Sequence, residues 1–269
     1  MNDSIPVIGT AVVNNTFWIQ RLFFSIDYHV DTLFIVNNGG RQIIDEELDN
    51  LAKTAHPFIK RTVVCHLPSN IGCSGAWNLI IKCFTQAPFW IIVNDDVCFS
   101  PGLLADIVVK SQNPDYGIVY AGSGWDLFLI KDWLVQKNGL FDENYYPAYH
   151  EDEDYQKRMY IEESLGVGVV ERNTKEISTS CRATFLHGPT VDYGTGGCQT
   201  MKSEDNISPH DYKITTGTFQ QKMFEASRKN GEYLQNKWAQ MKVIDDQIYV
   251  PLKFMSYDLN FIREKYTGF

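Results

Sequence analysis

Several features that mark whole protein classes are missing from this sequence. Its six cysteines (65, 73, 83, 98, 181 and 198) form no CxxC pair, and several sit inside apolar runs. They offer no paired-cysteine framework and read as reduced, partly buried thiols of an intracellular protein. No apolar run approaches the roughly 18 residues that a membrane-spanning helix needs. The start, MNDSIPVIG, lacks a basic region followed by an apolar core, so no signal peptide is expected and a soluble, cytoplasmic protein is. Positive charge is in short supply: 24 Lys and Arg against 33 Asp and Glu leave a net charge of −9. That balance argues against a nucleic-acid partner. It leaves a nucleotide ligand open, because a metal can neutralise one diphosphate locally. Internal repeats and low-complexity linkers are also absent, so one domain with a C-terminal elaboration is the simplest organisation.

What is present is an ordinary globular composition, 44% hydrophobic and 21% charged over 269 residues, enough to bury a substantial core. The chain is organised around residues 89–104, FWIIVNDDVCFSPGLL. The apolar run Phe89 to Val93 reads as a fully buried strand of a parallel sheet, and it halts at Asn94-Asp95-Asp96. Ligands of open α/β sheets bind at the carboxyl ends of strands. Two adjacent carboxylates there suit an oxygen-ligated Mg²⁺ or Mn²⁺. Equally, the two acids could simply cap the next helix, although Ser100-Pro101 already supplies a cap and a first-turn proline.

Before this stretch, strands are expected at Ile5 to Val13, Thr32 to Val36 and Arg61 to Leu67. They alternate with helices over Thr16 to Tyr28, Asp45 to Ala55 and from the loop Pro68 to Gly75 through about Thr85. This alternation implies a parallel sheet with helices on both faces. Beyond it, the pattern predicts a helix over Ser100 to Ser111, strands at Gly117 to Ala121 and Trp125 to Ile130, and a helix over Lys131 to Lys137. An acidic helix is expected from about Glu151 to Leu165, then strand-like segments at Gly166 to Val170 and Ala183 to Leu186. A mobile loop follows from Thr190 to Ser208, then a helix over Thr218 to Gln240 and an irregular tail.

Three constellations carry chemistry. Four loops leave successive strands on one sheet edge: Asn14-Asn15, Asn37 to Gly40, Pro68 to Gly75 and Asn94 to Val97. Each alone reads as a turn, but together their amides and backbone N–H groups suit a nucleotide. The run Tyr149-His150-Glu151-Asp152-Glu153-Asp154-Tyr155-Gln156-Lys157-Arg158 reads as a solvated helix start, with Arg158 pairing Asp154. Its sharper alternative is a general base among the carboxylates. Helical spacing sets Glu151, Asp154 and Arg158 on one side and Asp152 elsewhere. His187, after an apolar strand, is a structural histidine unless the aspartates bind metal.

Four motifs resemble those of GT-A glycosyltransferases of the large inverting family 2, especially its rhamnosyltransferase-like members. Val36-Asn37-Asn38-Gly39-Gly40 looks like the family's V-D-N-G-S turn. Asn70-Ile71-Gly72, with Gly75, Ala76 and Asn78, is similar to its N-x-G-x-x-x-A-x-N loop and helix. Asn94-Asp95-Asp96-Val97 with Pro101-Gly102 looks like its variant D-x-D motif. Gly139-Leu140-Phe141-Asp142-Glu143, followed by Glu151-Asp152-Glu153-Asp154-Tyr155 and Arg158, is similar to its G-x-F-D-E and E-D-x-D-[LY]-x-x-R signature. Asn236-Lys237-Trp238 is similar to its C-terminal K-W-G. The sequence departs from the pattern at Asn37, Asn94 and Ala239, where Asp, Asp and Gly are usual.

The resemblance implies an α/β GT-A fold: a Rossmann-like, mostly parallel central sheet flanked by helices, with a C-terminal helical extension. It implies a catalytic domain over 1–215, divided near 121 into donor and acceptor halves, and an extension over 216–269. The implied activity is metal-dependent transfer of a sugar from a nucleoside-diphosphate sugar (UDP first, then GDP or dTDP) to a hydroxyl of a glycan or glycoprotein. Asp152 would be the general base of an inverting attack. Val13, Asn14, Asn37, Asn38, Asn70, Gly72, Asn78 and Asp95 would bind the donor, and Asp96 with His187 would hold Mn²⁺ or Mg²⁺. Trp125, Asp126, Tyr149 and Glu151 would border sugar and acceptor, and the Gly194 to Gly197 loop would close as a flap. The alternatives are a sugar nucleotidyltransferase and an inactive sugar-nucleotide-binding module. The first would need a basic Gly-rich loop after the first strand, and Gly9 to Asn15 holds no Lys or Arg.

Overall fold

A computed structural model of the chain describes residues 4–13, 16–39, 42–121, 125–165, 182–186, 191–192, 216–239, 242–244 and 247–249. The first half alternates β1 (Ile5–Val12), α1 (Phe17–Ser25), β2 (Val30–Asn37), α2 (Gln42–Ala52), β3 (Thr62–His66), α3 (Gly72–Cys83) and β4 (Phe89–Val93). Next come β5 (Val97–Cys98), α4 (Leu103–Ser111), β6 (Tyr116–Ala121), β7 (Leu127–Lys131), α5 (Asp132–Asn138) and α6 (Glu151–Leu165). Beyond these are β8 (Arg182–Leu186), β9 (Val191–Asp192), α7 (Thr216–Ala239) and the hairpin β10 (Lys242–Ile244) with β11 (Gln247–Tyr249).

The central sheet has seven strands in the order β3-β2-β1-β4-β7-β6-β8. All its pairings are parallel except those of β7, which runs antiparallel to both β4 and β6. Only five residues separate β6 from β7, and a parallel return needs a crossover of about a dozen or more. The mostly parallel, helix-flanked sheet expected from the alternation is therefore borne out, with one reversed strand. The chain turns away from β1 on both sides, so the carboxyl ends of β1 and β4 meet at a topological switch point, where such sheets bind ligands.

Helices cover both faces, and β4 shows why its sequence is continuously apolar. All five of its residues are buried: Phe89, Ile91 and Val93 enter one core cluster, Trp90 and Ile92 the other. Each fully buried side chain of this size contributes about 1.5–3 kcal/mol of transfer free energy. In register, Val12 lies beside Asn37 and Asn37 beside His66, so β1, β2 and β3 end level with one another.

Three local expectations need correction. Helix α4 begins at Leu103, and its N-cap is Gly102 in the left-handed region (φ 81°), not Ser100. The Gly102 N–H instead donates to Asp27 Oδ2 at 2.7 Å, a partner 75 residues away. Val97, expected in a loop, and the next residue Cys98 pair antiparallel with Asp192 and Val191. That pairing makes strand of two residues in the segment expected to be a mobile loop. The expected strand Gly166 to Val170 and the flap Gly194 to Gly197 lie outside the described residues. No helix among the described residues is long and apolar enough to cross a membrane.

Candidate active site

At the carboxyl ends of β1 and β4 lies a cavity of about 310 Å³. Its first wall is Ala11 and Val13 from β1 and just beyond, Asn38 after β2, and Asn70, Cys73 and Trp77 before and on α3. Val93, Asn94 and Asp95 close it at the end of β4, beside Trp125 and Asp126. The last wall is Pro147, Ala148 and Tyr149, continuing into Glu151 and Asp152 at the start of α6.

The sequence-predicted residues divide by where their polar groups are spent. Val13, Asn38, Asn70, Asp95, Trp125, Asp126, Tyr149, Glu151 and Asp152 all line the cavity. Asn38 also braces it, donating to Gly72 O (3.2 Å) and accepting from the Ile71 N–H (2.8 Å). The Gly72 N–H donates in turn to Asn70 Oδ1 at 2.7 Å. Gly72 itself is not in the wall, and its φ of 83° favours glycine at this turn.

Asn37 and Asn78, expected to bind donor, are buried outside the lining. The Asn37 amide donates to Asp45 and meets His66 Nδ1 at 3.1 Å. Asn78 clips Phe141 from both sides, donating to its carbonyl and accepting from its N–H, each at 2.9 Å, and donates to Glu143 at 2.8 Å. Its amide thereby joins the α3 motif to the G-x-F-D-E motif. Asn14 and His187 lie outside the described residues.

Asp95 and Asp96 are both buried on the turn closed by the Val97 N–H to Asn94 O bond of 3.2 Å. Asp95 opens to the cavity and Asp96 does not line it. Asn94, where the resemblance leads one to expect Asp, donates from its amide to Asp126 Oδ1 at 3.2 Å. An ionised carboxylate there could not make that bond. Four carboxylates (Asp95, Asp126, Glu151, Asp152) and no Lys, Arg or His are among the described residues of the lining. Such an oxygen-donor set fits a hard divalent cation such as Mn²⁺ or Mg²⁺. Among the described residues no three His, Cys, Asp or Glu side chains converge to hold one alone. A shell of one or two carboxylates completed by phosphate and water fits that finding.

Trp77 was not expected here, because an apolar residue at helical spacing reads as core. It packs against Phe128 and Phe141, yet also stacks on Trp125 in the cavity wall, with ring centroids 6.3 Å apart and planes at 16°. Only its adjacency to the Asn70 to Asn78 motif could have drawn attention to it.

The acidic run at α6 is not the solvated helix start it resembles, for Glu151, Asp154 and Arg158 are all at most 4% exposed. Arg158 Nε bonds Asp154 Oδ2 at 3.0 Å, and its other nitrogens reach the carbonyls of Asn138 (2.6 Å) and Leu140 (2.9 Å). From α7, Lys237 Nζ bridges Asp154 Oδ1 (2.7 Å) and Asp142 Oδ2 (2.8 Å). Tyr145 and Trp238 also donate to Asp154, and Tyr233 to Asp142. Burial acts to raise the Asp142 carboxyl, but the Lys237 hydrogen bond and charge outweigh it and hold it below its ordinary value. The motif thus splits: Asp154 and Arg158 tie the helix down, while Glu151 and Asp152 turn to the cavity. Tyr149 and His150, just before them, take left-handed φ values of 77° and 72°. That conformation costs about 1–2 kcal/mol per residue for non-glycine side chains.

Burial pushes Asp152 above the ordinary carboxylate range. It also pushes Glu151 up to about 7, helped by the charge of Asp152. Glu151 Oε2 has no hydrogen-bonding partner among the described residues. A folded-state value raised from 4.5 to about 7 means that protonation favours the fold. The stabilisation is fully present below 4.5 and is lost as pH rises through 7. Glu151→Gln is therefore expected to match the wild type near pH 4.5 and to exceed it by about 3 kcal/mol at pH 8, read by urea denaturation at both pH values. Equal stability at pH 8 would show that Glu151 is not held in this environment.

Comparison with known proteins agrees with this geometry. The model of the family described as "Glycosyl transferase family 2" matches residues 12–160, more than half of the chain. A galactofuranosyl glycosyltransferase of Leishmania donovani is 24% identical over 226 residues, covering 58% of this chain and 52% of that protein. The chain thus spans about half the length of this curated relative. A mannosyltransferase of Pyrobaculum calidifontis, solved with GDP-Man and Mn²⁺, superposes with a TM-score of 0.51 at 14% identity, over 68% of this chain and 54% of that one. That likeness concerns the fold, which is GT-A. The chain belongs to glycosyl transferase family 2.

Proposed function

We propose that the protein transfers a sugar from a nucleoside-diphosphate sugar to an acceptor hydroxyl, with inversion. The observation that carries this proposal is that Asp95 and Asp152 border one cavity at the switch point of the sheet. Val13, Asn38 and Asn70 would hold the nucleoside on the β1–β2 side. The flat faces of Trp77 and Trp125 suit a sugar ring. Asp152 would take the proton of the acceptor hydroxyl as its oxygen attacks the anomeric carbon. The bond from that carbon to the diphosphate then breaks, and the nucleoside diphosphate leaves. Burial raises the Asp152 carboxyl, which makes it a stronger base than an exposed aspartate. Asp95 would hold Mn²⁺ or Mg²⁺, which would neutralise charge on the leaving diphosphate, with Asp96 buried beside it in the same turn.

Partly exposed Tyr146 and Tyr149 on the outer side suit a glycan or glycoprotein acceptor. The free thiols of Cys65, Cys73, Cys83 and Cys98 support a reducing, cytoplasmic setting. The C-terminal extension would act as one unit with the catalytic domain, supported by the seating of Lys237 between Asp142 and Asp154.

The test is a thermal-shift series with UDP-, GDP- and dTDP-sugars plus Mn²⁺. A donor at 100-fold its Kd is expected to add about 2.7 kcal/mol to the folded state. EDTA is expected to abolish both that shift and sugar transfer. Absence of a shift with all three nucleotides would defeat the proposal, and transfer that survives EDTA would remove the cation from it.

A further inference from the structure

The segment that carries Tyr149 and His150 into α6 cannot hold its shape by itself. Two consecutive non-glycine residues in the left-handed region persist only where their surroundings over-determine them. On one side the constraint comes from the α3 loop, where the Cys73 N–H donates to Pro147 O at 2.7 Å and the Tyr146 hydroxyl to Asn70 O at 3.3 Å. On the other side it comes from a single amide on α7. Asn230 Nδ2 reaches the carbonyls of Ala148 (2.9 Å), Tyr146 (3.4 Å) and Tyr149 (3.4 Å). Asn230 is 5% exposed, and the next residue, Gly231, lies so close to His150 that an added Cβ would sit 3.2 Å from its ring. Within the segment so gripped, Pro147, Ala148 and Tyr149 line the cavity just before Glu151 and Asp152.

We infer that Asn230 is a positioning residue for transfer: its amide, donated to the carbonyls of residues 146, 148 and 149, fixes the segment that aims Asp152 into the cavity. Asn230 lies 70 residues beyond the end of the family match at residue 160, so the transfer centre would depend on a helix outside the matched region. The inference rests on the transfer reaction proposed above. It assigns Asn230 no contact with donor or acceptor.

Asn230→Asp tests it, because the volume stays and the donor is lost, with Asn230→Ala beside it. The Gln235→Ala variant, on the exposed side of α7, is the control. The readout is nucleoside diphosphate released from UDP-galactose, UDP-glucose and GDP-mannose by the full-length protein with Mn²⁺. Both Asn230 variants are expected to lose at least about tenfold in kcat with donor KM unchanged, since small misplacements of a catalytic group are costly. The control is expected to match the wild type. Unaltered kcat in folded Asn230→Asp, or a parallel loss of donor affinity, would overturn the inference. Hydrogen exchange separates its failure from that of the transfer reaction. Even with no donor turned over, amides of residues 146–153 should exchange about tenfold faster in Asn230→Asp, with α3 unchanged. Equal exchange in that segment would refute the positioning role.

Discussion

Replacing Asp152 by Asn is expected to lower sugar transfer by about 10²- to 10⁴-fold, the usual contribution of a positioned general base. The amide keeps the shape of the side chain and the helix start but cannot take the acceptor proton. Donor-induced thermal shifts should therefore stay within error of the wild type, because the nucleoside is proposed to bind at Val13, Asn38 and Asn70, in another part of the lining. The wild-type rate should also carry the pH signature of the base. Burial raises the carboxyl, so activity is lost on the acid side with a midpoint above the ordinary carboxylate range. In Asp152→Asn that limb should vanish from the residual rate. Full activity in a folded Asp152→Asn protein would eliminate the assignment, and a normal carboxylate midpoint would show that burial does not tune it.

Lys237→Met is expected to cost about 3–5 kcal/mol of folding free energy, since removing one partner leaves buried charge uncompensated. The ammonium is 1% exposed and lies between two fully buried carboxylates, Asp142 and Asp154. Asp154 keeps Arg158, but Asp142 keeps neutral donors: the Tyr233 hydroxyl and the side-chain amide and backbone N–H of Asn144. Adding Asp142→Asn to Lys237→Met removes that stranded charge and should recover part of the loss. Denaturation in urea, compared across the two single variants and the double, reads the coupling directly. A Lys237→Met cost below about 1 kcal/mol, a value usual for exposed pairs, would mean that the network does not hold α6 against α7.

Some of this was legible in the sequence because it depends on neighbours along the chain. The five apolar residues of β4 specify a strand buried on both faces, and their abrupt end at Asn94 coincides with the edge of the cavity. The α6 spacing pairs Asp154 with Arg158, as the buried ion pair bears out, but it groups Glu151 with them, whereas Glu151 lines the cavity beside Asp152. The loops that end level on one sheet edge follow from the strand alternation alone.

Other features were decided only in three dimensions, because the chemistry of a polar group depends on which distant group consumes it. By pattern, Asn38 and Asn78 are equivalent amides in neighbouring motifs. Packing leaves Asn38 in the cavity wall and spends Asn78 on Phe141, 63 residues away. The acids of α6 look solvated until α7 brings Lys237 onto Asp154 from a distant part of the chain. Trp77 is core by its spacing and cavity wall by its stack with Trp125. Ser100 is the better cap by type, yet Gly102 takes the position because Asp27 waits for its N–H. Periodicity determines which elements form, since it is local. The free-energy cost of burying an unpaired polar group determines which side chains remain available for chemistry, and that cost is settled only when the elements pack.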